Sequence, residues 1–563
     1  ESPHLAIFHY LERLRGRAKE TTSNRRLRGR NQVTSFYTKN EWISVLFHLQ
    51  WSVVLRTATG NIGGIPIMSL LVNLFALGIA TLVGIFIRRY FIFTSGEDKT
   101  NLPFIKEFNF LTGSKNIIFE NGKVLAVNAH DRHLEMGDTF GCYFGLNMQV
   151  FSRDPDLIYK ICVNDFQKHR NRYYVDSLSP YMKASLLEAR DEKWQASRRA
   201  VGSVLKASKL KLDNVETDID ITVGKMLASI DKRLKAKDLD SVVDVYQINK
   251  NFFMQSILKI IYDTEELVDF DKNYNVVVEE LYKFINVNYE FVARMCFLIP
   301  VLTNLVRPLL GFFDHGKYLG LLTQKLDKIL KRTLGMAREK QKEGRLTTIH
   351  SLINSYRKGE LSREQLMGNA VFLMVAGFAT SVDTMSAMMW ELAKNPEVQE
   401  KLRADLQQYG EESKYLEQCM NETLRLYPGA MTNRDLGDDV YHKDFKLVKG
   451  LCFNISLYSL HRDPKYWGPD AEVWRPERFD PSNASKFHPA QFIPFGIGPR
   501  NCVGYNLAKL ELAKFTVQFF LKYKLEVCSE TKPKLEMVAL GALPFALPIK
   551  GPIYLRLQPA NAS

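Results

Sequence analysis

The residue best placed to do chemistry in this 563-residue chain is a cysteine in a glycine- and proline-rich segment. Cys502 lies in the run FGIGPRNCVG, and an apolar helical pattern over residues 506–520 follows it. A thiolate at a helix entrance receives backbone N–H groups and the positive end of the helix dipole, which lower its pKa and restrain its donation to a metal. Gly498 and Gly504 let the backbone approach a flat cofactor closely or adopt positive φ. The segment predicts a metal ligand; the alternative is a buried structural cysteine.

Charged residues elsewhere have spacings that suit ion pairs and anion binding. Glu422 and Arg425 stand three residues apart in a helical pattern, where they share a face and can pair. Arginines in the runs PERF (476–479) and WQASR (194–198) add always-charged donors. Two carboxylates beside an apolar pocket need such fixed donors, so these arginines are candidates for binding an anionic cofactor.

These motifs together resemble one protein family. The pattern F-x-x-G-x-R-x-C-x-G, from Phe495 to Gly504, resembles the haem-binding signature of the cytochrome P450 family. The E-x-x-R, P-E-R-F and W-x-x-x-R motifs stand in the order that the family requires, and the resemblance covers residues 102–558. The phrases WELAKNPEVQEKLRADL and YLEQCMNETLRLYP look nearest the animal microsomal, xenobiotic-metabolising branch that includes thromboxane synthase.

The resemblance implies roles for the residues of these motifs. Cys502 is expected to be the axial ligand of the iron of haem b, with Phe495 shielding its sulfur. The residues expected to bind the haem, apart from the ligand itself, are Arg500, Phe495, Gly498, Gly504, Trp194, Arg198 and Arg434. The residues expected to form an ion-pair network behind the haem are Glu422, Arg425 and Arg478. His461 is interpreted as structural, because nothing in the sequence pairs it with a second ligand or a nucleophile.

The long apolar helical pattern over residues 361–394 departs from the family at one position. Relatives have A/G-G-x-[D/E]-T, in which a small pair opens a groove for oxygen and the acid and alcohol supply protons. This chain keeps Gly377 and Thr380 but has Ala379 in place of the acid. Asp383 is four residues further on, one turn along the same face, and is a candidate replacement. The alternatives are that water and Thr380 suffice, or that the Asp383 side chain points to solvent.

The substrate pocket is expected, by analogy with the family, to have mostly apolar walls. Each residue also fits a plain core position: Phe372, Ala376, Phe378, Ala430, Met431, Pro544 and Phe545.

Hydropathy and charge divide the chain into four regions. Residues 1–64 form a basic tail that we expect to be disordered, with an interfacial segment over residues 42–55. Residues 65–87 carry no charge and are long enough for a single transmembrane helix. Arginines at 88 and 89 favour a cytoplasmic carboxyl side, whereas the basic tail favours the reverse. A linker over residues 88–102 and a haem domain over residues 103–563 complete the prediction.

Helical patterns dominate the haem domain. They cover residues 213–235, 277–294, 319–342, 361–394 and 396–409, whereas strand patterns are short, at residues 446–451 and 553–557. The prediction is a mainly α protein with small β-sheets, and the resemblance implies the cytochrome P450 fold behind the anchor. The apolar run over residues 297–313 is broken by two prolines, so we interpret it as dipping into the membrane interface or as a pair of core helices.

The composition indicates the redox compartment of the protein and limits the classes of partner that it could bind. Seven cysteines without paired spacing indicate a reducing compartment and argue against a disulfide framework or a zinc finger. The net charge of +14 is compatible with nucleic acid, an anionic membrane or an acidic protein. Nucleic acid is not expected, because no helix-turn-helix or aromatic RNA-binding signature accompanies the charge.

The resemblance implies a haem-thiolate monooxygenase anchored in the endoplasmic reticulum membrane, with its catalytic domain on the cytoplasmic side. A lipophilic substrate (a steroid, lipid or xenobiotic) would receive one oxygen atom of O2. Electrons from NADPH would come through the flavins of NADPH-cytochrome P450 reductase, docked near Lys193, Arg198 and Arg199, with cytochrome b5 as a second candidate donor. Two alternatives stay open: an isomerase or dehydratase of lipid peroxides, and a haem-binding protein without catalysis.

Overall fold

The computed structural model describes residues 67–109, 113–114, 125–144, 147–173, 183–212, 215–235, 241–262, 347–537 and 548–560. The predictions for residues 1–64, 277–294, 297–313 and 319–342, and for Pro544 and Phe545, lie outside these ranges.

Helices make up most of the described chain. They are α1 (Ile67–Thr94), α2 (Gly96–Thr100), α3 (Leu125–Met136), α4 (Pro155–Tyr159), α5 (Asp191–Gly202), α6 (Ala207–Leu212), α7 (Val215–Lys235), α8 (Val245–Tyr262), α9 (Thr348–Arg357), α10 (Arg363–Lys394), α11 (Pro396–Tyr409), α12 (Lys414–Leu426), α13 (Leu457–Leu460), α14 (Pro464–Trp467) and α15 (Tyr505–Lys522). A π-helical turn, Lys160–Asn164, and 3₁₀ turns at Gly410–Glu412, Pro476–Phe479 and Pro481–Lys486 join them.

The strands are short and form small sheets. They are β1 (Phe108–Asn109), β2 (Gly113–Ser114), β3 (Thr139–Phe144), β4 (Asn147–Ser152), β5 (Val242–Asp244), β6 (Thr432–Asp435), β7 (Val440–His442), β8 (Phe445–Leu447), β9 (Cys452–Ile455), β10 (Tyr523–Glu526) and β11 (Tyr554–Pro559). The described strands pair in the orders β1-β2-β3-β4-β9-β6, β10-β11-β5 and β7-β8. Only the β4–β9 pair among them is parallel, with Gln149 opposite Cys452. The mainly α class with small sheets is confirmed.

Helix α1 takes in most of the predicted transmembrane segment and continues beyond it. It ends at Thr94, and α2 follows directly, so the predicted linker is largely helical. The window Phe75–Ile92 has the length and composition to cross a membrane, and none of it is buried. Helix α10 passes the same test, but most of it is buried, as in the core helix of a globular protein. The chain divides within α1 into Glu1–Ile85 and Phe86–Ser563, and the residues with predicted chemistry all lie in the second unit.

Helix α10 is the central element of the second unit. Its start is fixed by a capping box: the Gln365 N–H donates to Ser362 Oγ (3.2 Å), and the Ser362 N–H donates to Gln365 Oε1 (3.1 Å). Helix α8 runs antiparallel along it, because Tyr262 Oη donates to the Ala370 carbonyl near one end and Tyr246 Oη donates to Asp383 Oδ1 (3.0 Å) near the other.

The helix that follows Cys502 packs against α8. The rings of Phe252 and Phe515 are 4.9 Å apart, and Ser256 Oγ donates to Glu511 Oε1 (2.5 Å). Helix α8 therefore contacts both the helix that carries Thr380 and the helix that begins beside Cys502, and it helps to fix their relative positions.

Candidate active site

The loop that carries Cys502 is a chain of tight turns. The Gly496 N–H donates to the Ile493 carbonyl (2.8 Å), the Asn501 N–H to the Gly498 carbonyl (3.0 Å), and the Cys502 N–H to the Phe495 carbonyl (2.7 Å). Gly496 and Gly498 both have φ of +74°, a conformation that residues with a side chain rarely adopt. A Cβ on Gly498 would also lie 2.0 Å from the Cys162 carbonyl oxygen. The backbone thus requires glycine at 496 and 498. Gly504 has an ordinary φ of −89°, so the backbone path does not require glycine there.

The Cys502 side chain keeps accessible surface although protein surrounds it. Burial raises the pKa of the Cys502 thiol, and the Gly504 N–H and the charges of Arg198 and Arg172 only partly offset that rise. This corrects the prediction of a lowered pKa: the helix entrance does supply an N–H, but desolvation of the sulfur is the larger effect. Without a metal the thiol form is favoured, so a bound cation is what would hold the thiolate.

Arg500 and Trp194 form one unit beside the loop. The Arg500 guanidinium carbon lies 4.4 Å from the centre of the Trp194 ring. Its nitrogens donate to the carbonyls of Arg170 (2.8 Å), Ala189 (2.7 Å) and Leu187 (3.4 Å). The Phe495 ring packs edge-on against Tyr505, with the ring centres 4.8 Å apart. These contacts hold the segment before Cys502 against helix α5 and the chain that precedes it.

Arg198 links helix α5 to the cysteine loop. It donates to the Asn501 carbonyl (2.7 Å) and to Asn501 Oδ1 (2.5 Å). Helix α5 is itself tied to α10, because Ser197 Oγ accepts from Asn369 Nδ2 (2.9 Å). Arg434, on β6, is 1% exposed, and its Nη1 donates to the Asn433 carbonyl (2.7 Å).

Sequence reasoning missed Arg172, which belongs to the same group of cations. Its Nη2 donates to the Arg500 carbonyl (3.3 Å), and its charge acts on the Cys502 sulfur. The available signal was the pair of arginines in the run HRNR, residues 169–172, between two helical patterns. Arg170 of this pair is used structurally, since it bonds Asp191 at the start of α5 (2.8 Å).

The cations of this site suit a cofactor that carries both a metal and carboxylates. Among the described residues, Arg172 and Arg198 donate only to neutral oxygens, and no carboxylate pairs with either. The Nε of Arg172 is buried and has no hydrogen-bond partner in the described part of the chain. Two unneutralised guanidiniums beside an accessible sulfur favour an anionic group at this position. The residues therefore fit haem, as the resemblance implies.

Glu422, Arg425 and Arg478 form a fully buried network. Arg425 donates to both carboxylate oxygens of Glu422 (2.7 and 2.8 Å), and Arg478 Nε reaches Glu422 Oε1 (3.2 Å). Glu422 and Arg425 are both 0% exposed.

His461 connects this network to the cysteine loop. Arg425 Nη1 donates to the His461 carbonyl (2.6 Å), and the Ile493 N–H donates to His461 Nε2 (3.2 Å). Burial and the neighbouring Arg425 lower the pKa of His461 to about 3, so the ring stays neutral and can accept this bond. The histidine thus holds the start of the loop that ends at Cys502.

On the oxygen side, Thr380 lies on an accessible face of α10. Its hydroxyl donates to the Ala376 carbonyl one turn back (2.9 Å), and Thr384 Oγ1 does the same to the Thr380 carbonyl (2.9 Å). A Cβ on Gly429 would lie 3.2 Å from Thr380 Cβ, so the loop that follows α12 rests against Thr380.

Asp383 does not point to solvent. It is 6% exposed, and it accepts from Tyr246 Oη (3.0 Å) and from the Ile549 N–H. Burial raises the pKa of Asp383 to about 8, with these two hydrogen bonds offsetting part of the rise. Asp383 does lie one turn beyond Ala379, but the hydrogen bonds described for it come from Tyr246 on α8 and from Ile549 before β11. Its role in a proton relay stays a prediction.

The predicted pocket walls fall into different surroundings. Phe372 is partly buried and packs against the cluster that contains Trp194, as does Val503 from the cysteine loop. Ala376 and Ala430 are partly exposed. Phe378 is fully buried in the main core. Met431 packs with Phe140 and Ile105 in another cluster. Phe378 and Met431 are thus buried among other apolar side chains, and their assignment to the pocket stays a prediction.

Comparisons with known proteins agree with this geometry. A family model described as Cytochrome P450 matches residues 114–554. Cytochrome P450 3A12 of Canis lupus familiaris is 27% identical over 450 residues, which cover 76% of this chain and 86% of the relative. Cytochrome P450 3A40 of Oryzias latipes is 27% identical over 453 residues, with the same shares. Probable cytochrome P450 6d4 of Drosophila melanogaster is 23% identical over 503 residues, 84% of this chain and 96% of the relative.

The family match covers far more than half of the chain, and it includes the cysteine loop, the Glu422–Arg425 pair and the long helix α10. The predicted family, its enzyme class and its haem b cofactor are confirmed. The chain belongs to the cytochrome P450 family and is a haem monooxygenase.

Proposed function

We propose that the protein is a membrane-anchored monooxygenase that inserts one oxygen atom of O2 into a lipophilic small molecule. The presentation of Cys502 is the observation that carries the proposal. Its sulfur is accessible, accepts from the Gly504 N–H, and lies in the field of two guanidiniums that no described carboxylate neutralises. Cys502 would supply the sulfur that binds the haem iron.

The residues that would hold the haem surround this sulfur. Arg172 and Arg198 are the candidates for its carboxylates, with Arg434, Arg500 and Trp194 beside them. Bound haem with a thiolate ligand supplies the activation of dioxygen for attack on an unactivated C–H bond. The partly buried guanidiniums of Arg172 and Arg198 would stabilise the thiolate and the carboxylates, because charges that are partly removed from water interact more strongly than exposed ones.

Thr380 is the candidate proton-handling group on the opposite side. Its hydroxyl is accessible, and a rotation about χ1 would exchange the Ala376 carbonyl for a ligand or water. Phe372, Ala376 and Ala430 are the described pocket candidates, and they are apolar. An apolar wall favours a lipophilic substrate, such as a steroid, a lipid or a xenobiotic. It places few constraints on the polar groups of that substrate.

Electron supply would use the exposed face of α5. Lys193 and Arg199 are exposed on this helix, five residues before and one residue after Arg198, which contacts the cysteine loop. A cationic face next to the thiolate side is complementary to an acidic flavoprotein, so we assign it to NADPH-cytochrome P450 reductase, with cytochrome b5 as a second donor. The exposed apolar window Phe75–Ile92 would anchor the protein in the endoplasmic reticulum membrane.

The test is turnover by the full-length protein in lipid vesicles with the reductase. We expect substrate-dependent NADPH consumption and, from labelled O2, one labelled oxygen atom in the product. Lys193→Glu with Arg199→Glu should reduce the rate about tenfold while the carbon monoxide spectrum stays intact. The matched control, Lys532→Glu with Lys550→Glu, removes the same charge away from α5 and should leave the rate unchanged.

The same experiment separates the alternatives. Turnover of a lipid hydroperoxide without NADPH, and no NADPH-dependent product, would favour peroxide rearrangement. A protein that binds haem but turns over neither kind of substrate would be a binding protein. Both outcomes would contradict the proposed function.

A further inference from the structure

Helix α8 approaches the oxygen-side helix very closely at one point. A Cβ on Gly377 would lie 2.7 Å from Cδ1 and 3.5 Å from Cγ1 of Ile257. Carbon atoms pack at about 3.5–4.0 Å, so the end methyl of Ile257 occupies the space that a side chain at 377 would need. Ile257 is 1% exposed and belongs to the main core. We call this contact the Gly377 notch.

The notch lies within one turn of Thr380 on the same helix. On either side of it, α8 is tied to α10 by hydrogen bonds, from Tyr262 to the Ala370 carbonyl and from Tyr246 to Asp383. These bonds prevent α8 from sliding away from the notch. Across the accessible face, Thr380 meets the loop at Gly429. Thr380 is therefore held between that loop and a helix backed by Ile257.

We propose that Ile257 is a positioning residue for Thr380. By filling the Gly377 notch, it sets the distance between α8 and α10 at the turn where Thr380 projects toward the oxygen site. Gly377 is needed in this account because only a residue without a Cβ admits the end methyl of Ile257. The inference rests on the proposed function, since the placement of Thr380 matters to turnover only if oxygen is activated on that face.

The decisive test adds a methyl group on α10 and removes one from the facing side chain on α8. Gly377→Ala adds a methyl that collides with Ile257 Cδ1, and Ile257→Val removes that carbon, leaving the next contact near 3.5 Å. The double variant thus restores the volume of the notch. A matched control is Gly224→Ala, which lies within helix α7 and where a Cβ would meet nothing within 4 Å.

The measurements are the unfolding temperature of the purified full-length protein and the share of NADPH electrons lost as peroxide. Gly377→Ala should lower the unfolding temperature by about 3 °C or more and raise the peroxide share about threefold. Ile257→Val should change each value less, and the double variant should return both close to wild type. Gly224→Ala should leave both unchanged or raise the unfolding temperature slightly.

Three outcomes would overturn the proposal. In the first, Gly377→Ala alone has the unfolding temperature and peroxide share of the wild type. In the second, the double variant recovers neither the unfolding temperature nor the peroxide share. In the third, the double variant recovers the unfolding temperature while its peroxide share stays high. The last result would show that a methyl at 377 acts in an oxygen groove. If Gly377→Ala does not fold, the double variant still tests the proposal: folded protein with the wild-type peroxide share supports it, and failure to recover them contradicts it. A wild type without NADPH-dependent turnover would contradict the proposed function, whereas the unfolding temperatures would still report on the notch.

Discussion

The cysteine loop and helix α10, which we propose as the thiolate side and the oxygen side of the site, differ in how closely residue type determines position. In the cysteine loop, Gly498 lies too close to a carbonyl oxygen to carry a side chain, and in the network that His461 links to this loop, Arg425 pairs with both oxygens of Glu422. On α10, the chain departs from the family at Ala379, and Asp383 bonds to Tyr246. Sequence spacing therefore predicts the position of a residue well where the backbone conformation accepts only one residue type. It predicts position poorly where a buried side chain could bond to several different partners.

The largest effect is expected from breaking the buried network on the thiolate side. Glu422→Ala should leave the buried Arg425 without a carboxylate, while Arg478 keeps only Asp470 (2.8 Å), at a cost of about 3–5 kcal/mol. We expect little folded, haem-containing protein, measured as haem per polypeptide after purification. Arg475→Ala is the matched control, because its side chain is about half exposed and its ion pair with Asp470 (3.2 Å) leaves the contact of Asp470 with Arg478 in place. Normal haem content in the Glu422 variant would contradict the central role given to the network.

The second test compares two glycines of the cysteine loop. Both have φ of +74°, but a Cβ on Gly498 would lie 2.0 Å from a carbonyl oxygen, whereas a Cβ on Gly496 would be 3.7 Å from its nearest neighbour. Gly496→Ala should cost only backbone strain, about 1–2 kcal/mol. Gly498→Ala should add displacement of the chain at Cys162 and should reduce haem retention more strongly. Equal unfolding temperatures for the two variants would show that a methyl group at 498 fits beside the Cys162 carbonyl oxygen without displacing it.

Two buried carboxyl groups, Asp383 on α10 and Glu511 on α15, make a prediction about pH. Burial raises the pKa of both Asp383 and Glu511 to about 8, well above the usual values for carboxyl groups. The folded state therefore holds these protons at neutral pH, and unfolding releases them. Stability from this source is full below the ordinary carboxyl pKa and is lost as pH rises toward 8. Asp383→Asn and Glu511→Gln should flatten the fall in unfolding temperature between pH 5.5 and 8.5.

The Asp383 variant also tests the relay prediction, since its peroxide release per NADPH can be measured on the same protein. A rise with normal haem content would support a relay. Unchanged coupling together with the flattened pH profile would leave Asp383 a purely structural acid. An unaltered pH profile would contradict the buried, protonated state described above.

The smallest effect is expected at Ala379, which is partly buried against the main core. Ala379→Asp restores the acid that relatives carry beside the threonine. We expect peroxide release to fall by about twofold, because a carboxyl near Thr380 improves proton supply. Ala379→Asn has the same size without the acid and should not reproduce the gain. An equal gain in the two variants would show that the acid is not what matters.

Much of the thiolate side was predictable because its signals are local in sequence. The glycines, Arg500 and Cys502 fall within ten residues, and Glu422 and Arg425 within one helical turn. The partners of the oxygen side come from far away: Tyr246 is 137 residues from Asp383. Nothing in the pattern around 383 or 377 indicates which helix packs there. The direction of the Cys502 pKa shift was wrong for a related reason, since desolvation depends on the whole fold.

The central claim is that Cys502 supplies the ligand to the haem iron. It is tested most directly by the reduced carbon monoxide difference spectrum of the full-length protein in membranes, with Cys502→Ser and Cys528→Ser compared. Cys528 is half-buried and bonds Thr531 away from the cysteine loop, so it is a matched control. We predict the spectrum of a thiolate-ligated haem for the wild type and for Cys528→Ser, and its loss in Cys502→Ser. The same thiolate spectrum in Cys502→Ser would contradict the account.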